Sequence, residues 1–247
     1  MSHIYLIRHG QASFDADDYD QLSPLGEEQS RLLGSWLRQT RQSMHHIVIG
    51  GNRRHRQTAE HCLQQFSDEQ TNTTPKIKQE IAQQNWQLDP GFNEFQHEEV
   101  LLKYCTEFTD FKALKQSLAK HPHPRQAFHA MFTAAIQRWT SGEFDDYSES
   151  WLAFQQRCRL ALKRVLAMQE ASEADKNICI FTSGGTISVL LQEILGINDQ
   201  RIFDLNACLI NTGITKLRAG SKQLSLNYLN SSAHLDLDPR SELISYR

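Results

Sequence analysis

Three short apolar runs in this sequence each end in a turn that contains glycine and is followed by a helical pattern. They cover Ile4–Ile7, His46–Ile49 and Ile178–Phe181. A short run that is apolar on both faces is typical of a buried strand in a parallel sheet, because helices cover both sides of such a sheet. Strands that alternate with helices favour an α/β fold. The sequence therefore predicts a three-layer α/β/α arrangement with a mainly parallel sheet.

Helical patterns replace this alternation between residues 96 and 147. We interpret that stretch as a helical insertion, or cap, within a single α/β domain that spans residues 1–247. A long helix is expected from about Ser150 to Glu170, leading to the third strand. Near the end of the chain, Leu209–Arg218 and Leu224–Leu229 have the pattern of a hairpin that turns at residues 219–221.

The composition excludes several classes of function. Charged residues make up 22% of the chain and the formal net charge is −3, so no global field favours nucleic acid or an anionic membrane surface. The N-terminus lacks the pattern of a signal peptide and no window has the length of a membrane span, which predicts a cytoplasmic protein. Five cysteines without a C-x-x-C pair indicate neither a disulfide framework nor a zinc site. We expect a small-molecule partner and no metal or cofactor.

Basic residues lie at the predicted carboxyl ends of the first two strands. Arg8 and His9 follow the first strand, and RRHRQTA at residues 53–59 begins the helix after the second. Four basic residues taken alone are typical of a solvated helix face. In α/β sheets, however, ligands bind at the carboxyl ends of the strands. Arginine and histidine at two such ends therefore predict one convergent oxyanion site.

The turn after the third strand, TSGGT at residues 182–186, adds a possible anion site. A strand that passes through glycines into a helix directs backbone N–H groups and the positive end of the helix dipole to one point. Three roles are open for Ser183, which are a nucleophile, a phosphate ligand, or a replacement for another residue. The nucleophile role is disfavoured because a serine elbow needs Gly-x-Ser-x-Gly, and position 181 is Phe.

Several motifs, in their order along the chain, resemble those of the histidine phosphatase superfamily, also called phosphoglycerate mutase-like. Ile4–Gly10 is similar to its strand with the R-H-G motif, Leu22–Gly26 to its helix start, and Arg54-x-x-Gln57-Thr58-Ala59 to its R-x-x-Q-T-A motif. Phe92–Phe95 resembles the segment that carries its acid, residues 178–187 its last core strand and turn, and Asn230–Leu235 its tail. Only the insertion is unmatched.

The resemblance implies four catalytic residues. His9 corresponds to the histidine that attacks phosphorus and forms a phosphohistidine. Arg8 and Arg54 correspond to the arginines that hold the phosphoryl oxygens, since a guanidinium fork bonds two oxygens and cancels charge. Glu94 corresponds to the acid that protonates the leaving oxygen and then deprotonates water.

One departure from the family pattern lies at Ser183, where relatives normally carry a second histidine. Gly184 still offers a backbone N–H group to a phosphoryl oxygen. Replacing a charged hydrogen bond by a neutral one predicts weaker transition-state binding, by about 1–2 kcal/mol, and hence a slower enzyme. Ser183→His is then expected to raise kcat/KM about tenfold. The alternative is that His97, three residues after Glu94, supplies the imidazole.

A second departure is Asp15, where relatives often carry asparagine. A carboxylate facing phosphate repels it, so we expect Asp15 to point away and Gln11 or Ser13 to make the polar contact. Gly50 likewise stands where relatives often have serine.

The function predicted from these residues is a metal-independent phosphomonoester phosphatase that acts on a small phosphorylated substrate. The alternatives are a mutase of the phosphoglycerate type, or a weakly active or inactive module that binds a phosphorylated ligand. Asn93-Glu94-Phe95-Gln96 differs from the Asn-Glu-Arg segment of the mutases, and His9 with Glu94 favours catalysis over binding alone. The natural substrate and the oligomeric state are left open.

Overall fold

A computed structural model describes residues 2–13, 20–42, 44–66, 78–79, 81–170, 177–199, 201–220 and 224–246. The chain forms two compact units. The first contains Met1–Glu94 and Cys158–Arg247, and the second contains Phe95–Arg157. The second unit contains residues 96–147, the stretch that we interpreted as a helical insertion.

The strands are β1 (Ser2–Arg8), β2 (His46–Ile49), β3 (Gln87–Leu88), β4 (Ile178–Thr182), β5 (Ile214–Ala219) and β6 (Leu224–Ser231). The helices are α1 (Pro24–Gln39), α2 (Arg53–Gln64), α3 (His97–Tyr104), α4 (Phe111–Ala119), α5 (Pro124–Thr140), α6 (Trp151–Glu170), α7 (Gly184–Leu195), α8 (Ile202–Cys208) and α9 (Ala233–Asp236). Short 3₁₀ turns cover Gln83–Asn85, Pro90–Phe92 and Ser241–Leu243.

The six strands form one sheet in the order β3-β2-β4-β1-β5-β6. Strands β3, β2, β4 and β1 pair in parallel, whereas β5 pairs antiparallel with both β1 and β6. This confirms the predicted mainly parallel α/β sheet. The hairpin is confirmed as well, but its first strand begins at Ile214 and not at Leu209. Residues 209–213 form a turn in which Thr212 has a φ of 60°.

The core is built on the two faces of the sheet. Because side chains alternate along a strand, Tyr5, Ile7, Cys179 and Phe181 face one side, where they pack against apolar residues of α1 and α2. The intervening residues of β1, β2 and β4 are also buried, and α7 packs against β1. Both faces are therefore covered, which leaves the carboxyl edge of the parallel strands for a site.

Helix α1 begins as the sequence predicted. Ser23 caps it by accepting a hydrogen bond from the N–H of Gly26 at 3.1 Å, and Pro24 occupies its first position. Gly26 then lies against the strand end, since an added Cβ there would be 2.1 Å from the carbonyl oxygen of Gln11. The start of α1 is thus fixed beside the loop that follows His9.

The second unit consists of α3, α4 and α5 with the first turns of α6. Its core is an aromatic cluster in which Trp139 lies 4.9 Å from Phe95 and 5.2 Å from Trp151, measured between ring centroids. Phe154 packs against all three of these rings. Stacked and edge-to-face aromatic pairs of this kind supply much of the packing energy of a small helical unit.

Candidate active site

The ends of β1 and β4 lie side by side at the carboxyl edge of the sheet. Arg8 pairs with Thr182 in the parallel register, so His9 and Ser183 follow paired positions. The N–H of His9 donates to the carbonyl oxygen of Thr182 at 2.9 Å. Two residues that are far apart in the sequence are thereby brought to the same point, as the sequence predicted.

His9 is buried, and its hydrogen bond defines its tautomer. Nδ1 lies 2.7 Å from the carbonyl oxygen of Gly10, and a carbonyl only accepts, so Nδ1 carries the proton. Burial holds the pKa of His9 well below its usual range, and the charges of Arg54 and Arg8 lower it further. The ring is therefore neutral near pH 7 and has its lone pair on Nε2, which is the form a nucleophile requires.

Arg8 extends beside the first turn of α7. Its guanidinium donates to the carbonyl oxygen of Leu209. A Cβ added at Gly184 would lie 3.5 Å from Nε of Arg8 and 2.2 Å from Oδ1 of Asn206. The glycine thus lets Asn206 and Arg8 approach the turn closely. Contact of Gly184 with a substrate stays a prediction.

Arg54 and His55 are the buried members of the basic run at the start of α2, whereas Arg53 and Arg56 are exposed. Nη1 of Arg54 lies 2.8 Å from Oδ1 of Asp20, and Asp20 also accepts the N–H of Arg53 at 2.8 Å. Asp20 thus holds one arginine of the site and accepts from an N–H group in the first turn of α2. The sequence analysis did not identify this carboxylate.

Glu94 is tied to the beginning of α7. Its Oε2 accepts a hydrogen bond from the N–H of Gly185 at 3.1 Å. The preceding residue, Asn93, accepts from the hydroxyl of Thr186 at 2.9 Å through its carbonyl oxygen, and from the N–H of Gly51 through Oδ1. These bonds attach the Glu94 segment to the turns after both β2 and β4. The carboxylate therefore lies at the helix turn that the sequence assigned to phosphate binding.

Ser183 is paired with a histidine that the sequence analysis treated only as part of a basic run. Its Oγ lies 2.6 Å from Nε2 of His55, and both residues are fully buried. The ring of His55 lies 5.8 Å from that of His9, between centroids, with 35° between their planes. Burial and the charge of Arg54 hold the pKa of His55 well below its usual range, so this imidazole is also neutral.

The predicted contacts of three other residues are not shown. Gln11 accepts the Ser23 hydroxyl at 2.8 Å, and the Ser13 hydroxyl donates to the carbonyl oxygen of Leu22 at 3.0 Å. Asp15 lies outside the described residues. His97 begins α3 in the second unit, where its ring meets the ring of Phe111 edge-on at 5.9 Å. Substrate contacts of Gln11, Ser13 and His97 therefore stay predictions.

His234 supports the backbone of the turn after β1 through Thr212. Thr212 donates its N–H to the carbonyl oxygens of Arg8 and His9, at 3.1 and 3.3 Å. Its hydroxyl lies 2.8 Å from Nε2 of His234. His234 is buried, and burial lowers its pKa to about 3. The left-handed φ of Thr212 is thus held by contacts on both sides of the residue.

Comparison with protein-family models places this arrangement in a known family. The model of the histidine phosphatase superfamily (branch 1) matches residues 4–99 and 119–232. The chain belongs to the histidine phosphatase superfamily. This membership classes it with the phosphatases of that superfamily, and the resemblance inferred from the motifs is confirmed.

Solved structures with the same fold are distant in sequence. The alpha-ribazole phosphatase from Shigella flexneri is 20% identical with a TM-score of 0.61, and the match covers 93% of this chain and 96% of that one. Phosphoserine phosphatase from Entamoeba histolytica, in complex with 3-phosphoglyceric acid, is 18% identical with a TM-score of 0.59, covering 95% and 100%. Phosphoglycerate mutase from Bacillus anthracis is 14% identical with a TM-score of 0.60, covering 95% of each chain. Curated protein sequences gave no match.

The described residues contain no cluster of three or more side chains arranged to hold a metal ion. No helix within the described ranges has the length and apolar character needed to cross a membrane.

Proposed function

We propose that this protein is a metal-independent phosphomonoester phosphatase that acts on a small phosphorylated substrate through a phosphohistidine at His9. The observation that carries this proposal is the hydrogen bond from Nδ1 of His9 to the carbonyl oxygen of Gly10. It leaves the lone pair of a neutral imidazole on Nε2, in a ring close enough to Arg54 and Arg8 to feel their charges. A residue that only bound phosphate would gain more from a charged imidazolium.

The first step follows from these positions. The Nε2 lone pair forms a bond to phosphorus while the bond between phosphorus and the leaving oxygen breaks. Arg8 and Arg54 offset the charge that develops on the equatorial oxygens, and the N–H groups at the start of α7 add partial positive charge. Glu94 gives its proton to the leaving oxygen. Its bond to the N–H of Gly185 keeps the carboxyl group at this turn.

The second step reverses the roles of the same groups. Glu94, now ionised, takes a proton from a water molecule whose oxygen attacks phosphorus. The bond between phosphorus and Nε2 breaks, and the neutral imidazole and inorganic phosphate are released. Dividing the hydrolysis into two displacements lowers the barrier of each.

The small-substrate part of the proposal is supported by the solved structures of similar fold. They include alpha-ribazole phosphatase, and phosphoserine phosphatase with bound 3-phosphoglyceric acid. At 14–20% identity these relatives support a phosphorylated small molecule as a class and no particular compound. A mutase is the second candidate, since a phosphoglycerate mutase shares the fold.

The decisive experiment is rapid quench with radiolabelled phosphate ester. Label trapped on His9 in the parent, and its absence in His9→Ala together with loss of p-nitrophenyl phosphate turnover, would support the proposal. An active His9→Ala variant would exclude it. Activity should persist in EDTA, because two arginines already neutralise the phosphoryl charge. Transfer of the label to a second hydroxyl of phosphoglycerate would favour the mutase.

A further inference from the structure

The pair formed by His55 and Ser183 has no role in the mechanism above, although it adjoins the proposed nucleophile. The Ser183 Oγ to His55 Nε2 distance of 2.6 Å is short for a hydrogen bond, and both side chains are fully buried. The ring of His55 contacts that of His9. A buried polar side chain is costly unless it is hydrogen-bonded, which explains why the two side chains pair but not why a histidine stands here.

The surrounding backbone leaves space for this imidazole. A Cβ added at Gly50 would lie 2.4 Å from Nδ1 of His55 and 2.8 Å from the carbonyl oxygen of Phe92. Real Cβ atoms do not approach other atoms that closely, so even alanine at position 50 would displace the ring. The imidazole of His55 therefore fits only because both of its neighbours are small: Gly50 has no side chain, and Ser183 has a short hydroxyl.

We propose that His55 is the second imidazole of the catalytic site, held beside His9 by Ser183, and that it acts as a positioning residue for His9 and for the 183–185 turn. This inference rests on the proposed phosphatase function. Ser183 is the N-cap residue of α7, so fixing its side chain fixes the direction of the N–H groups that follow. Packing against His9 restricts that ring to the orientation in which Nε2 is available.

The charges around His55 are consistent with a positioning role. Arg54 is its neighbour on α2, and His9 and Arg8 lie at the end of β1. A neutral imidazole between these groups adds no positive charge that would repel Arg54. Its contribution is geometric, and an error of about 1 Å in the placement of a reacting group costs on the order of 10²-fold in rate.

The test compares four variants with the parent in p-nitrophenyl phosphate turnover. His55→Ala should lower kcat by roughly 30-fold with little change in KM, because the arginine clamp is intact and the placement of reacting groups is lost. His55→Gln should stay within about threefold of the parent, because its amide fills the space and reaches Ser183. The double variant His55→Ala/Ser183→His, which returns an imidazole to the same space from the other side, should recover most of the loss.

His234→Gln is the matched control. It also removes a buried histidine that is hydrogen-bonded to a hydroxyl, but one that faces Thr212 and not the ring of His9. Its kcat should remain near that of the parent. A His55→Ala variant with the parent's kcat would overturn the proposal. So would an equal loss in His234→Gln, or a double variant that recovers nothing.

Rapid quench separates this inference from the proposed function on which it rests. If the parent forms no phosphohistidine, the proposed mechanism fails. If the parent forms it on His9 and His55→Ala forms it at the same rate, only the role of His55 fails. Should His55→Ala not fold, His55→Gln compared with Ser183→Ala provides the same test, because the alanine removes the hydrogen bond from the other side. Ser183→Ala should then lose at least about fivefold more kcat than His55→Gln, and equal rates would overturn the role.

Discussion

The two neighbouring strand ends of the site are each supported by a hydroxyl and a buried histidine, and the two pairs differ in their hydrogen bonding. Behind the β1 turn, the Thr212 hydroxyl lies 2.8 Å from Nε2 of His234 and donates to the carbonyl oxygen of Asn211 at 2.6 Å. At the β4 turn, the Ser183 hydroxyl lies 2.6 Å from Nε2 of His55. Within the described ranges, that hydroxyl has no second hydrogen-bond partner.

This difference separates a structural pair from one with a site role. The Thr212 hydroxyl donates its proton to the carbonyl oxygen of Asn211, so it must accept from Nε2–H of His234. The hydroxyl thus has both a donor and an acceptor bond without a ligand. The ring of His234 then packs near Trp36, at 6.5 Å. The Ser183 pair keeps capacity for another bond and lies against His9. Similar local chemistry thus supports a backbone turn in one place and lies beside the proposed nucleophile in the other.

The largest expected effect comes from substituting His9, the residue that follows β1, and it is compared with a substitution of Ser183, which follows β4. His9→Gln should lower kcat/KM by at least ~10⁴-fold, because the proposed nucleophile is lost, whereas Ser183→Ala should cost only about tenfold. Steady-state kinetics on p-nitrophenyl phosphate measures both. Comparable losses in the two variants would mean that Ser183 takes part in the chemistry directly. The supporting role that we assign to the pair of Ser183 and His55 would then be wrong.

Acid should destabilise the fold through the same buried histidines. Burial lowers the pKa of His9, His55 and His234, in the last case to about 3, whereas in the unfolded chain each titrates near 6.5. Below about pH 6.5 the unfolded state therefore binds more protons, and the free energy of unfolding should fall by about 1.4 kcal/mol per pH unit for each group. Above about pH 6.5 the contribution of these three histidines to the free energy of unfolding is fully present.

Chemical denaturation between pH 7.5 and 5 checks this dependence. The slope of the free energy of unfolding against pH should fall in both His234→Gln and His55→Gln, in each case by the contribution of roughly one proton. The exposed His121 provides the control, since His121→Gln should leave the slope unchanged. An unchanged slope in the two buried variants would mean that these rings are not held neutral by the fold.

Gly50→Ala should disturb the pair of Ser183 and His55 and leave the pair of Thr212 and His234 unchanged. The added Cβ would displace the ring of His55, at a cost of about 1–3 kcal/mol in the free energy of unfolding. The activity should fall to about that of His55→Ala, and the two changes together should be non-additive. Gly142→Ala is the comparison, because Gly142 has a φ of 72° with open space around it. Its activity should be unaffected, and additive losses for Gly50 and His55 would contradict the shared cause.

Asp20→Asn should have the smallest effect. Asp20 pairs with Arg54 at 2.8 Å, with 35% of its side chain exposed, so under the proposed mechanism it would compete with the phosphoryl group for this arginine. Partly exposed ion pairs contribute about 0.2–1 kcal/mol, so KM should fall by at most about fivefold with kcat little changed. Asp146→Asn, which breaks the bidentate pair with Arg138 in the second unit, should leave KM as it is. A rise in KM for Asp20→Asn would show that Asp20 orients Arg54 for binding.

Much of the fold was predictable because its signals are local. A strand buried on both faces is apolar along its whole length, and Ser23 with Pro24 marks the start of α1 wherever that helix packs. The family was equally accessible, since its motifs are short and keep their order. The boundary of β5 was wrong because the turn at 209–213 depends on Thr212, whose φ of 60° is stabilised by β1 and His234.

For the site, the sequence by itself determined which residues follow the strand ends. Arg8 and His9 are placed by β1, and Arg54 by the turn after β2, because the carboxyl ends of parallel strands share one edge. Only the tertiary structure decided which side of α2 faces that edge. His55 and Arg56 are adjacent in the sequence, yet one is fully buried against Ser183 and the other is exposed. The helical repeat relates the two residues by a rotation of about 100°. The packing of α2 against α1 and the sheet decides which of them is buried, so the sequence alone did not identify His55 as part of the site.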